Sequence, residues 1–142
     1  MTAAISSHQT SVPSSSKALR IALWIAQAAL AATFVSAGWM KVSLPVAELS
    51  KLMSIPTVLG EPMTRFIGAS ELLGAVGLIL PALTRIKPML TPLAAAALCL
   101  VMVLAAAYHV SQGELGGVPT NIVLGAAAAF VAWGRFRAAP IV

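Results

Sequence analysis

The sequence has 142 residues, of which 59% are hydrophobic and 9% charged. An average soluble domain is about 25% charged, so these charges are too few to cover a water-facing surface. The net charge of +5 does not indicate nucleic acid, because the basic residues sit at the ends of apolar segments with no basic stripe and little aromatic interleaving.

In chain order, residues 1–19 are rich in Ser, Thr and Ala and read as a disordered cytoplasmic leader, with His8 a solvated residue. Lys17 and Arg20, the apolar run that follows, and Val35-Ser36-Ala37 ahead of Gly38 imitate a cleavable signal peptide. The run is long for a signal core, and Gln27 and Phe34 give it a face, so residues 20–41 read as a first membrane span. In the connection from Ser43 to Glu61, Val46, Leu49 and Met53 recur at helical spacing, with Glu48 and Lys51 opposite. That pattern fits a short amphipathic helix at the membrane interface. The alternative is an irregular loop held by Pro45 and Pro56.

The second span covers residues 62–83 and opens on Pro62, which suits a first helical turn. Pro81, Pro88 and Pro92 keep the next connection tight. The third span covers residues 90–110. Gly113, Gly116, Gly117 and Pro119 mark the connection to the fourth, residues 118–133. Each span is near the ~20 residues that cross a bilayer, although the fourth is short unless its flanks join it. The expected architecture is an all-α integral membrane four-helix bundle over residues 20–137, with a tail at 138–142.

Lys17, Arg20, Arg85, Lys87, Arg135 and Arg137 fall on the leader, the second connection and the C-terminal end, with no acidic residue among them. The other two connections and their flanks hold Lys41, Lys51 and Arg65, offset by Glu48, Glu61 and Glu114. Positive charge marks the cytoplasmic side, so both termini are expected in the cytoplasm.

At ~100° per residue, Gln27, Ala31, Phe34, Gly38 and Lys41 form one stripe of the first span. Thr64, Gly68, Glu71, Gly74, Ala75 and Leu78 form one on the second. The third presents Ala95, Leu98, Met102, Ala105, Ala106 and His109, and the fourth Asn121, Gly125, Ala128 and Ala132. Each stripe mixes small residues, which permit close helix approach, with a polar group that avoids lipid by facing inward. Glu71 lies ~13 Å along its span, where an ionised carboxylate costs ~2.5 kcal/mol or more. It must be protonated, paired or hydrated, and Lys41 can reach down to it along apolar surface. His109 and Asn121 sit nearer the outer end, at ~2–5 Å depth. The gap between them and Glu71 suggests a small cavity open to the outer side.

Arg65 points away from Glu71 and reads as a headgroup anchor, as do Trp24, Trp39 and Trp133. Cys99 is the sole cysteine. It reads as a structural thiol, and no disulfide, dithiol redox pair or multi-cysteine metal site can form within the chain. No metal ligand set is expected at His109, which lacks a second ligand at suitable spacing.

Gly38-Trp39-Met40-Lys41, Arg65-Phe66-Ile67-Gly68, Glu71-Leu72-Leu73-Gly74, Gly77-Leu78, Pro81, Arg85, and His109 ahead of Gly113-Glu114 together resemble the DoxX-like family of small four-helix bacterial membrane proteins. The resemblance covers roughly residues 22–137. It implies a bacterial inner-membrane protein associated with redox or stress functions, and points to Lys41, Glu71 and His109 as the polar positions of interest. The chain also resembles four-helix thiol–quinone oxidoreductases in outline, but one cysteine cannot cycle between dithiol and disulfide.

Three functions follow as expectations. The first is an accessory protein that binds a small lipophilic ligand, a quinone being one class, through Lys41, Glu71, His109, Asn121 and Gln27, or that seats a membrane redox partner. The second is a membrane enzyme with Glu71 as general acid or base and His109 beside it. The third is a small transporter working as a homo-oligomer, since four spans without an inverted repeat leave little room for alternating access.

Overall fold

The computed structural model describes residues 16–141. His8 and most of the expected disordered leader lie outside the described residues. Helix α1 covers Lys17–Ser43. It starts before Arg20 because Ser16 caps it, its Oγ accepting from the Leu19 N–H at 3.2 Å. The short α2 covers Val46–Leu52. Leu49 is its fully buried residue, while Glu48 and Lys51 pair at 2.8 Å on the exposed side. The expected amphipathic segment is thus helical, and α2 packs on α3.

Helix α3 covers Ile55–Thr84 with a break at Gly60, where φ is 81° and ψ 168°. Only glycine takes up that conformation readily. The break divides an unexpected first turn from a long helix that opens near Pro62, and Thr64 Oγ1 donates to the Gly60 carbonyl at 2.9 Å. Helix α4 covers Leu90–Ser111. A 3₁₀ turn at Leu115–Gly117 leads into α5, Val118–Trp133, which widens into a π-turn over Gly134–Ala138. That continuation lengthens the fourth apolar helix to Leu115–Ala138.

Among the described residues, four helices are long and apolar enough to cross a membrane. They close into a ring in which α1 touches α3 and α5, and α4 touches α3 and α5. Leu30, Phe34, Leu78, Leu98, Met102 and Val131 fill the centre. The distribution of polarity is the reverse of a soluble protein's. Ile25, Leu73, Val103, Ile122 and other large apolar side chains face outward, while Gln27, Lys41, Thr64, Glu71, Asn121 and Arg135 are buried. Polar groups buried inside an apolar coat suit lipid as the solvent. The chain is a multi-pass membrane protein built as a four-helix bundle.

Two glycines set the α1–α3 crossing. A methyl group at Gly38 would stand 2.7 Å from the Gly68 carbonyl oxygen, and one at Gly68 would stand 2.9 Å from that of Gly38. The two backbones touch here because neither residue has a side chain. Lys41 and Glu71 each follow one turn later, so the crossing brings them together. Arg65 strengthens the same junction. Its Nη1 donates to the carbonyls of Lys41 at 2.7 Å and Leu44 at 2.8 Å, groups that the end of α1 leaves without helical partners. Its Nη2 pairs with Glu61 at 3.0 Å. The expected headgroup anchor is therefore a C-terminal cap for α1.

Candidate functional site

Lys41 Nζ stands 2.7 Å from Glu71 Oε2, and both residues are buried. A lone ion here would be strongly disfavoured, and each ion is the other's compensation. Lys41 Nζ also lies 3.5 Å from the Ala37 carbonyl of its own helix. Lysine's long apolar stem lets it reach back along α1 from the C-terminal end of the helix.

The pair forms one wall of a cavity of about 370 Å³ between α3 and α4, bounded also by α1 and α5. His109 and Asn121 line the same cavity. Four of the five expected ligand residues therefore meet at one place. Toward the α3–α4 connection the two helices pack closely, with Gly74 against Leu98 and Gly77 against Ala94. Farther along, Phe66 and Ile67 face Val101, Leu104 and Ala105 across the cavity. Leu59, Met63, Phe66 and Leu104 form its rim and are exposed on the outside of the bundle, so it opens sideways.

Two of the polar groups have capacity to spare. Asn121 is 9% exposed, and its Nδ2 has no hydrogen-bond partner among the described residues. A buried amide left unmade costs about 1–3 kcal/mol, and its residue lies on the wall of the cavity. His109 Nδ1 lies 3.0 Å from Glu114 Oε2. An ionised carboxylate can only accept, so Nδ1 carries the hydrogen and Nε2 is left as the acceptor of the neutral ring. Gly117 packs so close to the ring that a methyl group there would meet it at 2.8 Å. Hydrogen bonding from Ser54 and then from His109 holds the Glu114 carboxyl below the usual carboxylate range. Ser54 also lies 3.0 Å from Tyr108 Oη, tying the segment ahead of α3 to the end of α4.

Gln27 does not line the cavity. It lies 14 positions before Lys41 in α1, which at ~1.5 Å per residue is ~21 Å away. Its amide is already engaged, with Nε2 donating to the Leu78 carbonyl at 2.7 Å and Oε1 accepting from Arg135 Nε at 2.6 Å. Arg135 is 3% exposed, and its guanidinium lies 5.3 Å from the Trp24 ring centre. The sequence reading placed Arg135 among the orientation charges because it sits at the end of a span. The polar Gln27 stripe was the one signal that could have called for a partner at this depth.

Cys99 is half-buried and unpaired. Among the described residues no group of three or more His, Cys, Asp or Glu side chains is arranged to hold a metal ion.

No curated protein and no solved structure matches the chain. A model of the DoxX-like family matches residues 25–131, a stretch that reaches into all four membrane-length helices. It contains Lys41, Glu71, His109 and Asn121 and stops short of Arg135. Fold, motifs and family model agree: the chain belongs to the DoxX-like family.

Proposed function

We propose that the protein is an accessory membrane protein that binds a small lipophilic molecule between α3 and α4. The unpartnered Asn121 amide on the wall of an apolar cavity carries this reading. A cavity of this size suits a compact ligand. Asn121 offers a donor and His109 Nε2 an acceptor, while the Lys41–Glu71 pair supplies a polar wall. A ligand with an apolar body and a carbonyl or hydroxyl head fits those groups, and a quinone combines both. A role beside membrane redox or stress enzymes agrees with this ligand class. The basic ends of the helices favour an inner-membrane orientation with both termini in the cytoplasm.

An enzymatic reading has one specific observation in its favour. A carboxylate orients the His109 ring at the edge of the cavity, as general bases are commonly oriented. Glu71, its expected partner in catalysis, is instead bonded to Lys41, so the binding reading is preferred.

The test is native mass spectrometry of protein extracted directly into lipid nanodiscs. Wild type is expected to carry a small non-phospholipid molecule that Asn121→Leu loses while keeping its helical circular dichroism. If wild type and Asn121→Leu both carry phospholipid alone, the binding reading fails.

A further inference from the structure

The two ends of the α3–α4 cavity are built differently. Beyond Glu71, toward the α3–α4 connection, Gly74 packs on Leu98 and Gly77 on Ala94. At the other end, near α2, the cavity is lined by Ile55 and Leu59 of α3 and by Tyr108 and His109 of α4. Ser54, immediately ahead of α3, and Tyr108 join across that end through their hydroxyls, 3.0 Å apart. A neutral hydrogen bond of this kind adds little net stability, because water replaces it readily.

The segment that carries Ile55 and Leu59 is a single turn set apart from the rest of α3. At its far end Gly60 has φ 81° and ψ 168°, a conformation that glycine alone takes up readily. Pro62 has no N–H to return to the Val58 carbonyl, so the helical ladder is interrupted there. Thr64 Oγ1 donates to the Gly60 carbonyl at 2.9 Å and ties that group to the long helix. At the near end Met53 is extended, with φ −153° and ψ 152°, and fully buried Leu49 pins the helix before it. The turn thus lies between two breaks in helical backbone, where changes of φ and ψ are absorbed most easily. Its own bonds are internal, since the Thr57 and Val58 N–H groups both donate to the Ser54 carbonyl. Pro56 is buried, while Thr57, Val58 and Leu59 are exposed.

We propose that the turn from Ile55 to Leu59 is a flap, hinged at Gly60 and latched by the Ser54–Tyr108 bond. Its release gives the cavity a second entrance, from the aqueous phase at the α2 end of the bundle. Its purpose rests on the binding proposed for this cavity, to which it adds a polar route. Lys41, Glu71 and His109 stand on the cavity wall, and water-borne solutes that an apolar sideways mouth excludes reach them when the flap lifts. Lifting it uncovers Ile55 and Pro56, which makes the closed form the resting one.

The test uses the full chain in lipid nanodiscs, with Cys99→Ser removing the native thiol and Ser70→Cys placing one on the cavity wall. Modification is timed with a permanently charged methanethiosulfonate and, separately, with a neutral lipid-soluble maleimide. The charged reagent is expected to react slowly with the latched protein. Tyr108→Phe is expected to speed it about fivefold, the equilibrium equivalent of one neutral hydrogen bond, and to leave the neutral reagent's rate unchanged. Ser54→Ala removes the same bond from the other side and becomes the deciding variant if Tyr108→Phe does not fold. A charged-reagent rate that the deciding variant leaves unchanged overturns the proposal. Equal acceleration of both reagents also overturns it, because the helix pair then loosens as a whole. No ligand takes part, so a motionless flap leaves the binding reading intact, and failure to find a bound molecule leaves the flap intact.

Discussion

Replacing Lys41 with Met tests how the bundle carries ions at mid-membrane. At 2.7 Å and an effective dielectric constant of about 20, the pair attracts by about 6 kcal/mol. Removing each ion from water costs several kcal/mol, so the intact pair nets little. A single substitution is different, because it removes the attraction and leaves the other ion's desolvation uncompensated. Lys41→Met or Glu71→Leu alone should destabilise by about 3–5 kcal/mol, and the double variant by far less than the sum of the two. Denaturant unfolding in mixed micelles, followed by circular dichroism, gives the four corners of the cycle. If Lys41→Met costs under about 1 kcal/mol and the two changes simply add, water in the cavity already serves both ions. The reasoning would then be wrong.

Three further outcomes follow from other parts of the structure. Gly38→Val inserts a branched side chain between touching backbones and should cost about 1–3 kcal/mol. A disulfide-trapping or spin-label distance across α1 and α3 should lengthen with it, and an unchanged distance would contradict the assigned crossing. Gly60→Ala must adopt a φ of 81°, a conformation worth about 1–3 kcal/mol of strain for a residue with a side chain; unfolding measurements that show no loss would mean that the break relaxes. The Glu114 carboxyl is held below its ordinary value, so its contacts contribute fully at neutral pH. They are lost as the pH falls through the lowered value, beneath the ordinary value of about 4.3. Ser54→Ala should move the Glu114 titration upward in isotope-edited infrared spectra, and an unmoved titration would remove Ser54 from the account.

The fold was readable from periodicity because burial in this bundle follows helical phase closely. Gln27, Ala31, Phe34, Gly38 and Lys41 share one face in the sequence and are all buried, and so are Asn121, Gly125, Ala128 and Ala132. The same phase argument suggested that Lys41 would reach Glu71, since an isolated carboxylate at that depth demanded a partner. Phase does not encode depth, however, and Gln27 was grouped with the cavity residues despite lying some four turns of α1 away. Arg135 was missed for a related reason. A basic residue at a span's end satisfies the charge-orientation rule whether it points to water or inward, and only the π-turn that follows α5 decides between them. The turn ahead of Gly60 was hidden by Pro56 and Pro62, which read equally well as loop punctuation.

The sideways mouth between α3 and α4 changes what concentration means for this protein. Leu59, Met63, Phe66 and Leu104 are exposed apolar side chains, and an entrance between them would face acyl chains in a bilayer. An occupant arriving that way is supplied by its mole fraction in the bilayer, so occupancy tracks the ratio of guest to lipid and is insensitive to sample volume. Adding empty micelles or vesicles would strip the site without any change in intrinsic affinity.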